Sequence, residues 1–166
     1  STGKGGNVVS FLMELEHFSY PEALKWLAQK YNIEIPEDRE QTPEELAQTT
    51  ERDSLYIINE FAQKHFIHNM FETDEGKAIG RSYFIERGFR EDIIRKFQLG
   101  YCIDNGSDFT ETAVKKGYKQ DYLEKVGLTK VKENRRFDFF RGRVMFPIHS
   151  ISGRVLGFGG RTLKAD

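Results

Sequence analysis

Apolar residues recur at helical spacing through the first half of the chain, which predicts helices there. The run VVSFLMELEHF predicts a first helix, and Ser19 with Glu22 forms a capping box that predicts the start of a second. A second capping box, Thr42 with Glu45, predicts a long helix that runs to about Phe71. Its predicted inner face consists of Leu55, Ile58, Ala62, Phe66 and Asn69.

In the second half, short helical runs alternate with short strand-like runs. Gly76 is predicted to end the long helix, a further helix over 77–86 to end at Gly88, and REDIIRKFQLGYC to give a helix followed by a strand. Helices are predicted over 108–116 and 120–126, and a strand over 128–132. Finally, RVMFPI and RVLGF predict an antiparallel hairpin closed near Gly153. Helices followed by a small antiparallel sheet with short helices indicate the α+β class.

The segment between the second and third helices divides the chain. Residues 36–42 contain Pro36 and several acidic residues but no apolar period, which is typical of a linker. The predicted organisation is a small helical unit over 1–35 and a main body over 43–166.

Composition narrows the class of protein. A single cysteine, Cys102, cannot form an internal disulfide or a zinc site by itself, so a cytoplasmic location is expected. No run has the apolar length of a membrane-spanning helix. His65 and His68 stand three residues apart on the long helix and could share a metal ion, but no third ligand accompanies them, so packed or surface histidines are expected.

Positive charge is concentrated near the carboxyl end. Residues 130–164 contain nine basic residues against Glu133 and Asp138, in a chain whose formal net charge is -1. Between Phe139 and Ala165 there is no acidic residue. Because phosphate chains are held by clustered charge, this segment predicts a localised site for a polyanion, a nucleic acid or a nucleotide. A solvated charged face is the alternative interpretation.

Glycines accompany these charges at the exit of the last predicted strand. Gly157, Gly159 and Gly160 have no side chains, so another backbone or a ligand can come close, although tight packing is the alternative. The basic residues expected around them are Arg141, Arg143, Arg161 and Lys164.

Two expectations for individual residues have alternatives. Strand alternation predicts that Arg141 and Arg143 share a face, whereas Arg143 could instead pair with Asp138. The aromatic residues Phe139, Phe140 and Phe158 are expected to belong to the core, with stacking on bases as the alternative.

Three separated motifs carry a resemblance to a known family. They are GNVVSFLM at Gly6 to Met13, ERGFREDIIRKFQLGY at Glu86 to Tyr101, and RVMFPI with GRVLGFGGR between Arg143 and Arg161. In this order and spacing the chain resembles the bacterial replicative DNA primases of the DnaG type, over essentially its whole length.

The resemblance implies an α+β fragment of a larger enzyme. Residues 1–35 would be the trailing helices of a zinc-binding unit, and 43–166 the N-terminal subdomain of the RNA polymerase core. The whole enzyme would use Zn and Mg or Mn, take single-stranded DNA template and ribonucleoside triphosphates, and contact the replicative helicase through a C-terminal domain. The fragment itself would bind none of these metals, since the metal-holding carboxylates of the family lie in a Toprim subdomain, and it is predicted inactive alone.

The resemblance also assigns site residues. Arg87 of ERG and Arg161 of GGR would face the groove for template and incoming nucleotide, with Arg141, Arg143 and Lys164 as weaker candidates. Thr2 stands where the family has its last zinc-binding cysteine. A competing interpretation is a non-enzymatic interaction module whose basic hairpin docks an acidic protein surface, including the acidic segment 34–60 of the chain itself.

Overall fold

The computed structural model describes residues 6–33 and 43–163, with only the backbone described for 43–48. Its helices are α1 (Val8–Glu16), α2 (Tyr20–Tyr31), α3 (Pro43–Glu72), a π-helix (Gly76–Arg81), α4 (Ser82–Ile85), α5 (Glu91–Lys96), α6 (Asp108–Lys115) and α7 (Gln120–Lys125). Its strands are β1 (Gly100–Cys102), β2 (Thr129–Lys132), β3 (Arg135–Asp138), β4 (Arg143–His149) and β5 (Val155–Thr162). Helices followed by small antiparallel sheets confirm the predicted α+β class.

The two N-terminal helices begin at side-chain caps. Asn7 Oδ1 accepts a hydrogen bond from the Ser10 backbone N–H at the start of α1. At the start of α2 the Ser19 backbone N–H donates to Glu22 Oε2 over 2.8 Å, which confirms the predicted capping box. Thr42 of the second predicted box, and the predicted linker at 36–42, lie outside the described residues.

Helix α3 crosses the larger sheet and supplies residues to two apolar clusters. Ile58, Ala62 and Phe66 of the predicted inner face are buried and pack in one cluster with residues of α6, α7 and β4. Further along α3, Met70 packs in a second cluster with residues of α4, α5, β1 and β4. On β4, Met145 belongs to the first cluster and Val144 to the second. The two clusters are separate because neighbouring residues of a strand point to opposite faces of the sheet.

The segment after α3 differs from the prediction. Helix α3 already ends at Glu72, and Gly76 begins a π-helix that continues into α4, so Gly76 does not end a helix. Gly88 has the left-handed φ of 81° expected for the residue that ends a helix.

The larger sheet has the strand order β1-β4-β5, and both pairs are antiparallel. The predicted hairpin is therefore present as β4 and β5. A second sheet pairs β2 with β3 through a turn at Glu133 and Asn134, both with positive φ, as in a type I′ turn. Strand β2 lies within the predicted strand over 128–132, whereas β3 was not predicted.

The N-terminal helices contact the tip of the β4–β5 hairpin. The carboxylate of Glu16, only 2% exposed, accepts hydrogen bonds from the Ile151 backbone N–H at 2.8 Å and the Ser152 hydroxyl at 3.3 Å. Arg52 of α3 pairs with Glu22 of α2. The contact thus combines a buried carboxylate at the hairpin tip with an ion pair to α3.

Candidate nucleic-acid interface

Cross-strand pairing places Arg161 beside two glycines on one face of the sheet. Phe146 pairs with Gly159, Ile148 with Gly157, and Val144 with Arg161. Directly opposite residues of antiparallel strands project to the same side. We call the surface formed by Phe146, Ile148, Gly157, Gly159 and Arg161 the open face.

The two glycines leave this surface bare. A Cβ added at Gly157 or at Gly159 would have no described heavy atom within 4 Å, apart from those of its chain neighbours. Arg161 is exposed at the same face. A side-chain-sized space therefore stays open above each of these two glycines of β5, and an extended polyanion can approach the backbone there, on the face that carries Arg161.

Gly160 has a different role from Gly159. Gly160 faces the side of the sheet opposite the open face. A Cβ added at Gly160 would overlap the Phe140 ring and lie 3.1 Å from Arg143 Cδ. The missing side chain makes room for Phe140, so tight packing, the alternative interpretation, applies at this position. We leave Gly160 out of the proposed surface.

Arg143 and Arg141 do not share a strand face. Strand β4 begins at Arg143, and Gly142 before it has a left-handed φ of 60°, so alternation does not relate the two arginines. Arg143 lies on the side opposite Arg161, and its Nη1 donates to the Phe139 carbonyl oxygen over 3.1 Å. The Arg141 guanidinium lies 5.2 Å from the centre of the Phe137 ring.

The alternative considered for Arg143, an ion pair with Asp138, is also absent from this part of the described chain. The Asp138 carboxylate is 1% exposed and accepts hydrogen bonds from the Phe109 and Thr110 backbone N–H groups, each 2.9 Å long. It also accepts a 2.6 Å hydrogen bond from the Thr110 hydroxyl. Asp138 therefore caps the start of α6 instead of neutralising Arg143.

Arg87 lies at the end of α4, exposed, with its guanidinium 3.7 Å from the centre of the Tyr83 ring. Its Nη1 also donates to the Tyr83 carbonyl oxygen over 3.2 Å. Stacking on Tyr83 orients the guanidinium while leaving its outer edge in solvent. Lys164, the remaining predicted cation, lies outside the described residues.

The aromatic residues named from the sequence have mixed positions. Phe158 packs edge-on against Phe66, with ring centres 5.3 Å apart, and Phe140 fills the space beside Gly160, so both serve the core. Phe139 is 45% exposed, under the Lys130 ammonium. Sequence reasoning missed Phe146. Alternation within RVMFPIH was the available signal, since it separates Phe146 from the buried Met145.

The metal-binding side chains of the described residues are scattered. The described residues contain no group of three His, Cys, Asp or Glu side chains placed to hold an ion. His65 Nε2 lies 2.6 Å from Asp108 Oδ2, and this hydrogen bond lowers the pKa of Asp108. Cys102 is buried in β1, which raises the pKa of its thiol and keeps it protonated. None of the described helices has the length and apolar character of a membrane span.

Comparison with known proteins gives two family matches. Residues 65–166 match the model described as DNA primase catalytic core, N-terminal domain. Residues 1–43 match the CHC2 zinc finger. The latter stretch contains no cysteine, so it does not fit a zinc site made of cysteine ligands.

Individual relatives agree with the family matches. A DNA primase of Clostridium acetobutylicum is 36% identical over 162 residues, which cover 97% of this chain and 26% of the relative. The RNA polymerase domain of Mycobacterium tuberculosis primase DnaG superposes with a TM-score of 0.65 at 31% identity, over 69% of this chain and 37% of that one. A DnaG primase catalytic domain bound to ssDNA superposes with a TM-score of 0.65 at 28% identity, over 71% of this chain and 38% of that one. The chain thus spans about a quarter of the length of the first relative.

Proposed function

The chain belongs to the family of the N-terminal domain of the DNA primase catalytic core, and from this premise we propose that it forms one side of a groove for single-stranded template DNA. The family membership confirms the resemblance carried by the three sequence motifs. In the whole protein this groove would serve the synthesis of short RNA primers from ribonucleoside triphosphates.

One observation carries the proposal: Arg161 projects from the open face beside Gly157 and Gly159. A guanidinium can hold a phosphate with two parallel hydrogen bonds, and the glycines let the strand approach the backbone. Such contacts read charge and shape instead of base sequence, as a general template groove requires. The related DnaG catalytic domain bound to ssDNA supports this choice of ligand.

Arg87 supplies the second phosphate contact in the proposal. It is exposed, and it stacks on Tyr83, whose ring neighbours Phe84 at 5.3 Å between centres. Phe84 in turn contacts Phe146 of the open face, with ring centres 5.6 Å apart. Contacting rings thus connect Arg87 to Phe146 of the open face, which supports a role for Arg87 in the same groove as Arg161.

We propose the division of labour that the resemblance implies for the whole protein. Mg or Mn held by carboxylates of a Toprim subdomain would supply the phosphoryl-transfer chemistry, while the residues described above position the template. Binding of zinc and of the replicative helicase would likewise belong to other parts of the protein. Residues 1–166 alone would then bind template without making primers.

Replacing Arg161 or Arg87 by alanine is expected to weaken binding of a labelled single-stranded oligonucleotide about five-fold each. Each change removes one phosphate contact, so the slope of log affinity against log salt should become shallower by about 0.7. Fluorescence anisotropy at several salt concentrations measures both quantities.

Arg136→Ala provides the matched control. Arg136 is on β3 and pairs with Glu124, with Nε and Oε1 3.1 Å apart, so its removal should leave binding near wild type. Wild-type affinity and an unchanged salt slope in both Arg161→Ala and Arg87→Ala would contradict the proposed groove.

The docking of an acidic protein surface remains a second candidate function, favoured by the contact of Glu16 with the hairpin tip. In that contact the carboxylate accepts from the backbone of Ile151 and from the Ser152 hydroxyl. The arginine variants separate the two functions: only the template groove predicts a salt-dependent loss of oligonucleotide binding.

A further inference from the structure

We infer that Phe146 is a stacking platform for a base of the bound single strand, located on the same face of the sheet as the phosphate contact of Arg161. This inference rests on the proposed template groove and adds to it a contact that reads the presence of a base. Arginine contacts hold the strand by its charge, whereas an aromatic ring holds it by the faces of its bases.

The position of Phe146 on the open face carries the first step. Phe146 is 37% exposed, and the residue opposite it on β5 is Gly159, where an added Cβ would meet no described atom within 4 Å apart from those of its chain neighbours. Ile148, 53% exposed, stands opposite Gly157 in the same arrangement. Two apolar side chains thus rise beside a strip of bare backbone, where a planar ring can lie against Phe146 without meeting a cross-strand side chain.

A buried neighbour holds the Phe146 ring in place. Phe84 is 1% exposed, and its ring meets that of Phe146 edge-to-face, with centres 5.6 Å apart and planes inclined at 74°. Phe84 also meets Phe89, which is 41% exposed, with centres 5.6 Å apart. A ring that is packed on one side and open on the other loses little conformational freedom when a base stacks on it.

The charges beside Phe146 identify the occupant. Arg161 is one cross-strand pair away on the same face, since it lies opposite Val144 while Phe146 lies opposite Gly159. Arg87 is connected to Phe146 through the contacting rings of Tyr83 and Phe84. An exposed ring with a guanidinium beside it on the same face is complementary to single-stranded nucleic acid, whose bases are apolar on their faces and whose backbone is anionic.

Phe146→Leu tests the inference, because leucine keeps an apolar contact with Phe84 but has no ring face. The variant is compared with wild type for binding of two labelled oligonucleotides of about ten residues, one complete and one abasic throughout. We expect about five-fold weaker binding of the complete strand, less than two-fold change for the abasic strand, and an unchanged salt slope. Phe146→Tyr, which keeps the ring, should bind the complete strand as wild type does.

Phe97→Leu is the matched control, since Phe97 is 60% exposed and makes none of the ring contacts in this row. Thermal melting establishes that each variant is folded. If Phe146→Leu does not fold, Phe89→Leu is measured in its place, because Phe89 is an exposed ring that also contacts Phe84. An equal loss on complete and abasic strands, or no loss on either, would overturn the inference. So would a change of oligomeric state in Phe146→Leu without base-dependent loss, which would indicate that a second copy of the chain covers this ring.

The arginine variants separate failure of this inference from failure of the groove. Loss of binding in Arg161→Ala together with wild-type binding in Phe146→Leu removes only the stacking platform. Wild-type binding in the arginine and phenylalanine variants alike removes the proposed function itself.

Discussion

Replacing Gly76 by alanine is expected to destabilise the chain by at least about 3 kcal/mol, one of the two largest effects we predict. An added Cβ would overlap the carbonyl oxygen of Asn69 and lie 2.6 Å from its carbonyl carbon and 2.8 Å from Met70 Cα. All three are backbone atoms of α3, so no side-chain rotation can relieve the overlap. Either the end of α3 or the π-helix has to move.

The movement would reach the core, which is why the expected cost is high. Met70 is fully buried in the cluster that also contains Phe84 and Tyr101. Tyr101 lies against the π-helix too, because a Cβ at Gly80 would lie 2.8 Å from Tyr101 Cβ. Closely packed interiors transmit such displacements instead of absorbing them.

Urea denaturation followed by far-ultraviolet circular dichroism measures the effect as a lower midpoint. Gly157→Ala is the control, since a Cβ there meets no described atom within 4 Å; its stability should stay within about 0.5 kcal/mol of wild type. A Gly76→Ala variant with a wild-type midpoint would show that the helix junction is adaptable.

Gly76 also illustrates which parts of the fold the sequence could predict. A glycine after a long apolar period predicts a helix end. Here, however, Gly76 permits close contact with the backbone of Asn69 and Met70 near the end of α3. By contrast Gly88, the Ser19–Glu22 box and the β4–β5 hairpin were predictable, because caps and turns depend on residues close together in sequence. Strand β3 was missed, since RRFD is mostly charged and its turn residues, Glu133 and Asn134, include no glycine.

The candidate site shows the same limit. Composition predicted that arginines and glycines gather near the carboxyl end, but not which of them share a face. That depends on register: Arg161 and Gly159 project from the open face, whereas Arg143 and Gly160 project towards Phe140. Alternation within RVMFPIH could separate Phe146 from Met145, but that Phe146 lies opposite a glycine was known only from the pairing with Gly159.

Replacing Asp138 by alanine is the second change with a large expected effect, a loss of about 3 kcal/mol or more. The carboxylate accepts hydrogen bonds from the backbone N–H groups of Phe109 and Thr110 and from the Thr110 hydroxyl, and no solvent replaces them because these residues are buried. Each unsatisfied buried donor costs about 1–3 kcal/mol.

The same carboxylate joins two parts of the fold, which sharpens the test. Asp138 ends β3 while its partners begin α6, so alanine should loosen the β2–β3 sheet from α6 as well as lower the denaturation midpoint. Asp138→Asn retains one acceptor oxygen and should lose roughly half as much stability. Asp53→Ala, at an exposed position of α3, should change stability by less than about 0.5 kcal/mol.

Hydrogen exchange resolved by residue measures the local effect of Asp138→Ala. The Phe109 and Thr110 amides should lose protection first in this variant, because they donate to the Asp138 carboxylate. Unchanged protection of these two amides would contradict the capping role.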